Sequence, residues 1–120
     1  MGLLALRGAI TCDEDTVAEI DRRTQQLVRS MLERNQVSHD DIVSLIFTAT
    51  DDLTAQFPAA AARAVGLGDV PLLCARELQI EGSMAMTIRV LMHFETSLSR
   101  SELRHVYLER ARTLRDDLRV

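Results

Sequence analysis

The apolar residues of this chain fall into several short runs and one long stripe. Leu3 to Ile10 is an apolar stretch bounded by polar residues, which predicts a first strand. Asp13 or Asp15 is then expected to cap a helix, with Glu14 and Glu19 near its positive N-terminal end. Val17, Ile20, Thr24, Leu27, Val28 and Met31 recur at three- and four-residue steps, the clearest amphipathic helix in the sequence. Ile42 to Thr48 is rich in β-formers and reads as a buried strand. Phe57-Pro58 and the alanines up to Val65 predict a short helix that Gly66 and Gly68 end, with Pro58 in its first turn.

Val70 to Cys74 reads as a third strand. Met84 to Glu95 is a long β-like run, with Met86, Ile88, Val90, Met92 and Phe94 on one face. Ala85, Thr87, Arg89, Leu91 and His93 form its other face. Ser101 to Arg104 starts a helical turn, and His105 to Leu108 reads as a last strand. Strands interleaved with helices, only one of them long, indicate an α/β or α+β sheet covered on one side. The uncovered face calls for a neighbouring subunit.

Composition narrows the chemistry. At 120 residues the chain fits one domain, 1–120, able to build a core without disulfides or metals. A net charge of −4 argues against a general nucleic-acid binder. All 14 cations are arginine, so lysine Schiff bases, lysine-linked pyridoxal phosphate and a phosphate-loop lysine are excluded. Cys12 and Cys74 form no CxxC pair, which suits a reduced compartment. Arg7 interrupts the apolar opening too early for a signal-peptide core, and no apolar run reaches the roughly 18 residues of a membrane helix. A cytoplasmic protein without membrane partners is expected.

His39, His93 and His105 lack metal-ligand spacing, and His39-Asp40-Asp41 reads as a helix-start turn. No GxSxG elbow or glycine-rich phosphate loop occurs. What remains is arginine in apolar surroundings: Arg7 inside a strand, Arg89 between Ile88 and Val90, and Arg63 after four alanines. Two readings fit Arg7 and Arg89. Either they face water on the polar side of an antiparallel sheet, or they are planar cations aimed at carboxylates or phosphates. Cys74 as a small core residue, Glu77 as a solvated loop carboxylate, Tyr107 at the core edge and Phe57 in the core are the default placements. Pattern alone gives a small α/β domain with an anion-binding, oligomeric character.

Taken in order, the same residues resemble the monofunctional chorismate mutases of the trimeric, mixed α/β kind. The likeness runs through Leu6-Arg7-Gly8-Ala9, Thr11 and Glu14-Asp15-Thr16, then Phe57-Pro58-Ala59 with Ala61 and Arg63. It continues through Val70-Pro71, Cys74, Glu77 and Ile88-Arg89-Val90 to the run Arg104-His105-Val106-Tyr107-Leu108-Glu109, then Ala111, Leu114-Arg115 and Asp117-Leu118. The chain departs from the family pattern at Ala60, where a lysine is common, at Leu73, where a threonine can stand, and at Gly82-Ser83 in place of Gly-Gly.

This resemblance implies an α+β fold with a mixed sheet, one long amphipathic helix and short helices on one face, assembled as a homotrimeric pseudo-α/β-barrel. It implies active sites between subunits and the Claisen rearrangement of chorismate to prephenate, without cofactor, metal, nucleophile or proton transfer. Arg89 would face the breaking ether oxygen and a neighbouring carboxylate. Arg7 would bind a substrate carboxylate, and Tyr107 would donate a further hydrogen bond. Glu77 and the Cys74 region would hold the ring hydroxyl. Phe57, Ala59, Arg63, Leu72, Leu73 and Leu114 would line the cleft, Phe57, Ala59 and Arg63 from the adjacent subunit, and Arg115 would help close it. Two rivals stand beside this reading: a trimeric imine/enamine deaminase-like protein, and a carboxylate-binding module without catalysis.

Overall fold

A computed structural model of the chain describes residues 1–114. Five strands form one mixed sheet: β1 (Gly2–Thr11), β2 (Ile42–Ala49), β3 (Leu72–Arg76), β4 (Thr87–Thr96) and β5 (Val106–Tyr107). Their order is β3-β2-β4-β1-β5. β4 runs antiparallel to both β1 and β2, while β3 is parallel to β2 and β5 is parallel to β1. Helices α1 (Val17–Arg34) and α2 (Pro58–Ala62) supply the apolar residues that cover one face.

The core follows from the period-two alternation of strands meeting the three-to-four period of α1. Leu6 and Ile10 of β1, Leu45 and Phe47 of β2, and Ile88, Val90, Met92 and Phe94 of β4 pack with Ile20, Leu27, Val28 and Met31 of α1. The opposite face carries Leu3, Ala5 and Arg7, Ser44, Ile46 and Thr48, Leu73 and Ala75, and Arg89, Leu91 and His93, all half-buried or exposed. Leu3 and Leu73 are 59% and 61% exposed there. A mixed α+β architecture with cover on one side is therefore what the chain adopts.

Several boundaries differ from those the sequence predicts. Thr16, not Asp13 or Asp15, caps α1: its hydroxyl accepts from the Glu19 N–H at 3.1 Å. Thr16 and Glu19 have the spacing of a capping box, but the Glu19 carboxylate turns instead to the Asp13 N–H at 2.8 Å. Asp15 accepts from the Thr54 N–H and hydroxyl and from the Ala55 N–H, tying the loop after β2 to the start of the helix.

Val70 and Pro71 stay outside β3, because the Val70 N–H closes a turn on Leu67 and Pro71 has no N–H to give. The strand instead continues to Arg76. β4 begins at Thr87 rather than Met84, since Met86 has φ 56° and donates its N–H to the Asp52 carboxylate at 3.0 Å. β5 keeps two of its four expected residues, because Glu109 turns the chain away at φ 56°. The helical turn expected before β5 lies at Arg100–Glu102, capped reciprocally by Ser99 and Glu102, and a further turn follows β5 at Glu109–Thr113. α2 ends at Ala62 and widens over Arg63–Leu67 until Gly66, at φ 95°, stops it. At Gly82-Ser83 only Gly82 carries positive φ, 84°, while Ser83 closes the turn on the Ile80 carbonyl. His39–Asp41 forms the expected short turn.

Candidate active site

Strand registers place the candidate polar residues in one patch. Ala9 of β1 lies opposite Arg89 of β4 and beside Tyr107 of β5. Arg89 in turn lies opposite Thr48 of β2, which is beside Ala75 of β3. One row of the open face therefore reads Tyr107, Ala9, Arg89, Thr48, Ala75. The small Ala9 separates the phenol from the guanidinium, which puts their backbones about 10 Å apart at normal strand spacing. Arg7 stands on the same face, two residues from Ala9 in β1.

Glu77 completes this patch from the segment after β3. Its N–H donates to the Ala49 carbonyl at 3.0 Å, prolonging the β2–β3 pairing by one bond. Its Oε2 accepts from the Thr48 hydroxyl at 2.5 Å and lies 3.2 Å from Arg89 Nε. Arg89 is 38% exposed at its side chain and Glu77 24%, so the pair sits at the wall of the patch rather than in the core. Buried Arg89 Nε makes no directed hydrogen bond. Thr48 joins the patch through Glu77, and the sequence reading did not single it out. Its signal was the alternation of Ile42 to Thr48, which sets a hydroxyl on the face opposite Phe47.

Tyr107 is 3% exposed and packs with Ala9 and Ala111, with Leu114 against that group. Leu73 lies on the open face beside Ile46. The structure thus gathers Arg7, Glu77, Arg89, Tyr107, Leu73 and Leu114 on one side of the sheet. Arg89 is half-buried and paired with Glu77, whereas the Arg7 side chain is exposed on the same face.

The other expected residues lie elsewhere. Cys74 pairs with the buried Phe47 and Leu72 with the buried Leu45, so both point to the helix-covered side. A cavity of about 450 Å³ there is lined by Phe47, Phe57, Pro58, Cys74 and Arg76, among others. Phe57 is 69% exposed and does not join the core, because its extended backbone just before α2 turns the ring outward. Ala59 is buried in α2, and Arg63 is exposed at its end. Within one chain Phe57, Ala59, Arg63, Leu72 and Cys74 are not brought to Arg7, Arg89 and Tyr107. Arg115 lies outside the described residues.

The arrangement offers two planar cations, one of them held by Glu77, with a phenol and a carboxylate around an open patch. It suits a small ligand with more than one negative group and a hydroxyl. Among the described residues no group of three or more His, Cys, Asp or Glu is placed to hold a metal ion. No helix among them is long and apolar enough to cross a membrane.

Comparison with known proteins gives the same direction. Chorismate mutase AroH of Thermus thermophilus is 47% identical over 114 residues, 94% of this chain and 93% of that protein. Chorismate mutase AroH of Bacillus subtilis is 40% identical over 119 residues, covering 98% and 94%. The solved structure of a chorismate mutase from Clostridium thermocellum superimposes with a TM-score of 0.89 at 44% identity, covering 91% of this chain and 97% of that one. The family described as chorismate mutase type I matches residues 3–118. The chain belongs to the chorismate mutase type I family.

Proposed function

We propose that this chain, folded as one domain over 1–120, binds chorismate in clefts between the subunits of a cytoplasmic homotrimer. The activity is that of a chorismate mutase, the intramolecular rearrangement of chorismate to prephenate in aromatic amino acid biosynthesis. In the trimer the open sheet faces would pack together as a pseudo-barrel, covering Leu3, Leu91 and Ile46. The helix-side group of Phe57, Ala59, Arg63, Leu72 and Cys74 would then line the cleft of a neighbour, facing that neighbour's Arg7, Arg89 and Tyr107.

A Claisen rearrangement breaks a C–O bond and forms a C–C bond in one cyclic step. It asks for no nucleophile and no proton transfer. The protein contributes orientation of the compact reactive conformer and charge where the ether oxygen turns negative. Arg89 supplies that charge, with Glu77 and Thr48 fixing its position. Arg7 and Tyr107 hold the carboxylates, and Glu77 also accepts the ring hydroxyl.

The observation that carries this reading is the Tyr107-Ala9-Arg89-Thr48 row with Glu77 against it. Its test is the loss of chorismate's ultraviolet absorbance with purified protein beside Arg89→Ala at equal concentration. Rapid loss with prephenate as product, abolished in the variant, is the expected result. Equal loss in both samples would remove Arg89 from the role. Thermal stabilisation by a chorismate-like diacid without turnover would favour a binding module, and hydrolysis of an imino acid a deaminase.

A further inference from the structure

β5 is a two-residue edge strand paired only to β1, yet it carries Tyr107. A ladder that short fixes a side chain poorly by itself. β1 adds bonds on either side of the ladder, from the Arg7 N–H to His105 Nδ1 at 2.9 Å and from the Leu108 N–H to the Ala9 carbonyl at 2.9 Å, and the Thr11 hydroxyl accepts from the Arg110 N–H at 3.2 Å. From the other side α1 and its C-cap hold the segment at both ends. Before β5, the buried Asn35 donates its amide to the Arg104 carbonyl at 2.9 Å and to the Met31 carbonyl at 3.0 Å. Its oxygen accepts from the Arg104 N–H at 2.7 Å. After β5, Arg23 Nη1 donates to Glu109 Oε1 at 2.9 Å. Nε of the same guanidinium reaches Glu19 at 3.1 Å, and Nη2 reaches Asp13 at 3.0 Å.

The spacing of the two grips matches the segment they hold. Arg23 and Asn35 lie about 18 Å apart at the helical rise of 1.5 Å per residue. Residues 104 to 109 span about 17 Å when extended. One rigid helix thus grips an extended segment at both ends, with Tyr107 between them. Glu109 has φ 56°, a conformation that disfavours a side chain, and its carboxylate is the atom group Arg23 holds.

We propose that Arg23 and Asn35 are positioning residues, making α1 a splint that fixes Tyr107 toward the substrate without touching it. This rests on reading Tyr107 as a substrate contact. The buried Arg23 guanidinium faces the carboxylates of Asp13, Glu19 and Glu109, and of these Glu109 is the one on the far side of β5. The effect of that pair is to keep one conformation of the turn at Glu109.

The test is steady-state kinetics of the intact enzyme with Tyr107→Phe, Glu109→Ala, Glu109→Gln and the Tyr107→Phe/Glu109→Ala double variant, beside their thermal midpoints. Glu109 is 43% exposed at its side chain, so its truncation leaves the core intact. Each of Tyr107→Phe and Glu109→Ala is expected to raise KM about tenfold with kcat within about threefold. The double variant is expected within about twofold of Tyr107→Phe alone, the mark of coupled residues. Glu109→Gln keeps an acceptor for Arg23 and is expected to recover most of the loss. Wild-type KM in Glu109→Ala beside an impaired Tyr107→Phe would overturn the splint, as would effects that multiply in the double variant. Wild-type KM in Tyr107→Phe would overturn the role of Tyr107 itself, and the splint with it.

Discussion

Arg89 Nε lies 3.2 Å from Glu77 Oε2, within ion-pair range but without the direction of a hydrogen bond. The carboxylate holds the guanidinium in place by charge. Thr48 restrains the same Oε2, so the pair has a fixed geometry before any ligand arrives.

Arg89→Lys should therefore keep the fold and lose turnover. An ammonium preserves the charge but not the planar fork or its reach. Loss of one well-placed donor at a developing oxyanion lowers kcat by roughly 10²–10³ in comparable cases. Initial rates at saturating chorismate, beside a thermal midpoint within a few degrees of wild type, check this. Near-normal kcat would sink the electrostatic role.

At Gly8 side chains of α1 press directly on β1. A Cβ added there would meet Met31 Sδ at 2.6 Å and Leu27 Cδ1 at 3.1 Å. Gly8→Ala is expected to cost about 1–3 kcal/mol through overpacking, since Leu27 and Met31 are fully buried. A fall of the thermal midpoint by roughly 4–15 °C would accord with this at the size of this domain. An unchanged midpoint would mean that Met31 repacks at no cost.

What the sequence made legible was local. Alternation in β1 and β4 sorted Leu6 and Ile10, Ile88, Val90 and Met92 from Arg7 and Arg89, because one buried face fixes a period of two. The row that sets Tyr107 and Thr48 beside Arg89 depends on registers between strands far apart in the chain, which no local pattern encodes. Phe57 misled for a different reason: an aromatic next to an alanine run reads as core, and only its backbone before α2 turns it out. At the start of α1 the aspartates drew attention because both are strong caps. Thr16 makes the cap through its hydroxyl on the Glu19 N–H, while the Glu19 carboxylate goes to Asp13.

The two cysteines should react differently. Burial, with the nearby Glu19 carboxylate adding to it, pushes the Cys12 thiol up to about 12 against the opposing pull of Arg23. Its thiolate fraction at pH 8 is then on the order of 10⁻⁴, and the thiolate is the reactive form. Cys74 is half-buried beside Phe57 and Arg76 in the helix-side cavity. A thiol reagent at pH 8 is expected to modify Cys74 in the native protein and Cys12 only after unfolding. Saturating substrate should slow the Cys74 reaction if this residue lines the cleft. Two fast thiols in the native protein would contradict the environment of Cys12, and no protection would take Cys74 out of the cleft.

Acid should act through Glu19. Burial raises its carboxyl, but the Asp13 N–H and the Arg22 and Arg23 side chains outweigh that and bring it down to about 2 from an ordinary 4.5. A carboxyl lowered on folding stabilises the native state fully above its unfolded value. The stabilisation disappears as pH falls from about 4.5 through about 2. The shift corresponds to about 3 kcal/mol. Glu19→Gln removes the titrating group and also two charge-assisted contacts, so it should be less stable than wild type at pH 7. Near pH 2 the two proteins should converge, because protonated Glu19 has lost the same contacts. Urea midpoints at both pH values test the linkage, and a constant gap between the curves would place the acid sensitivity of the fold in other carboxylates.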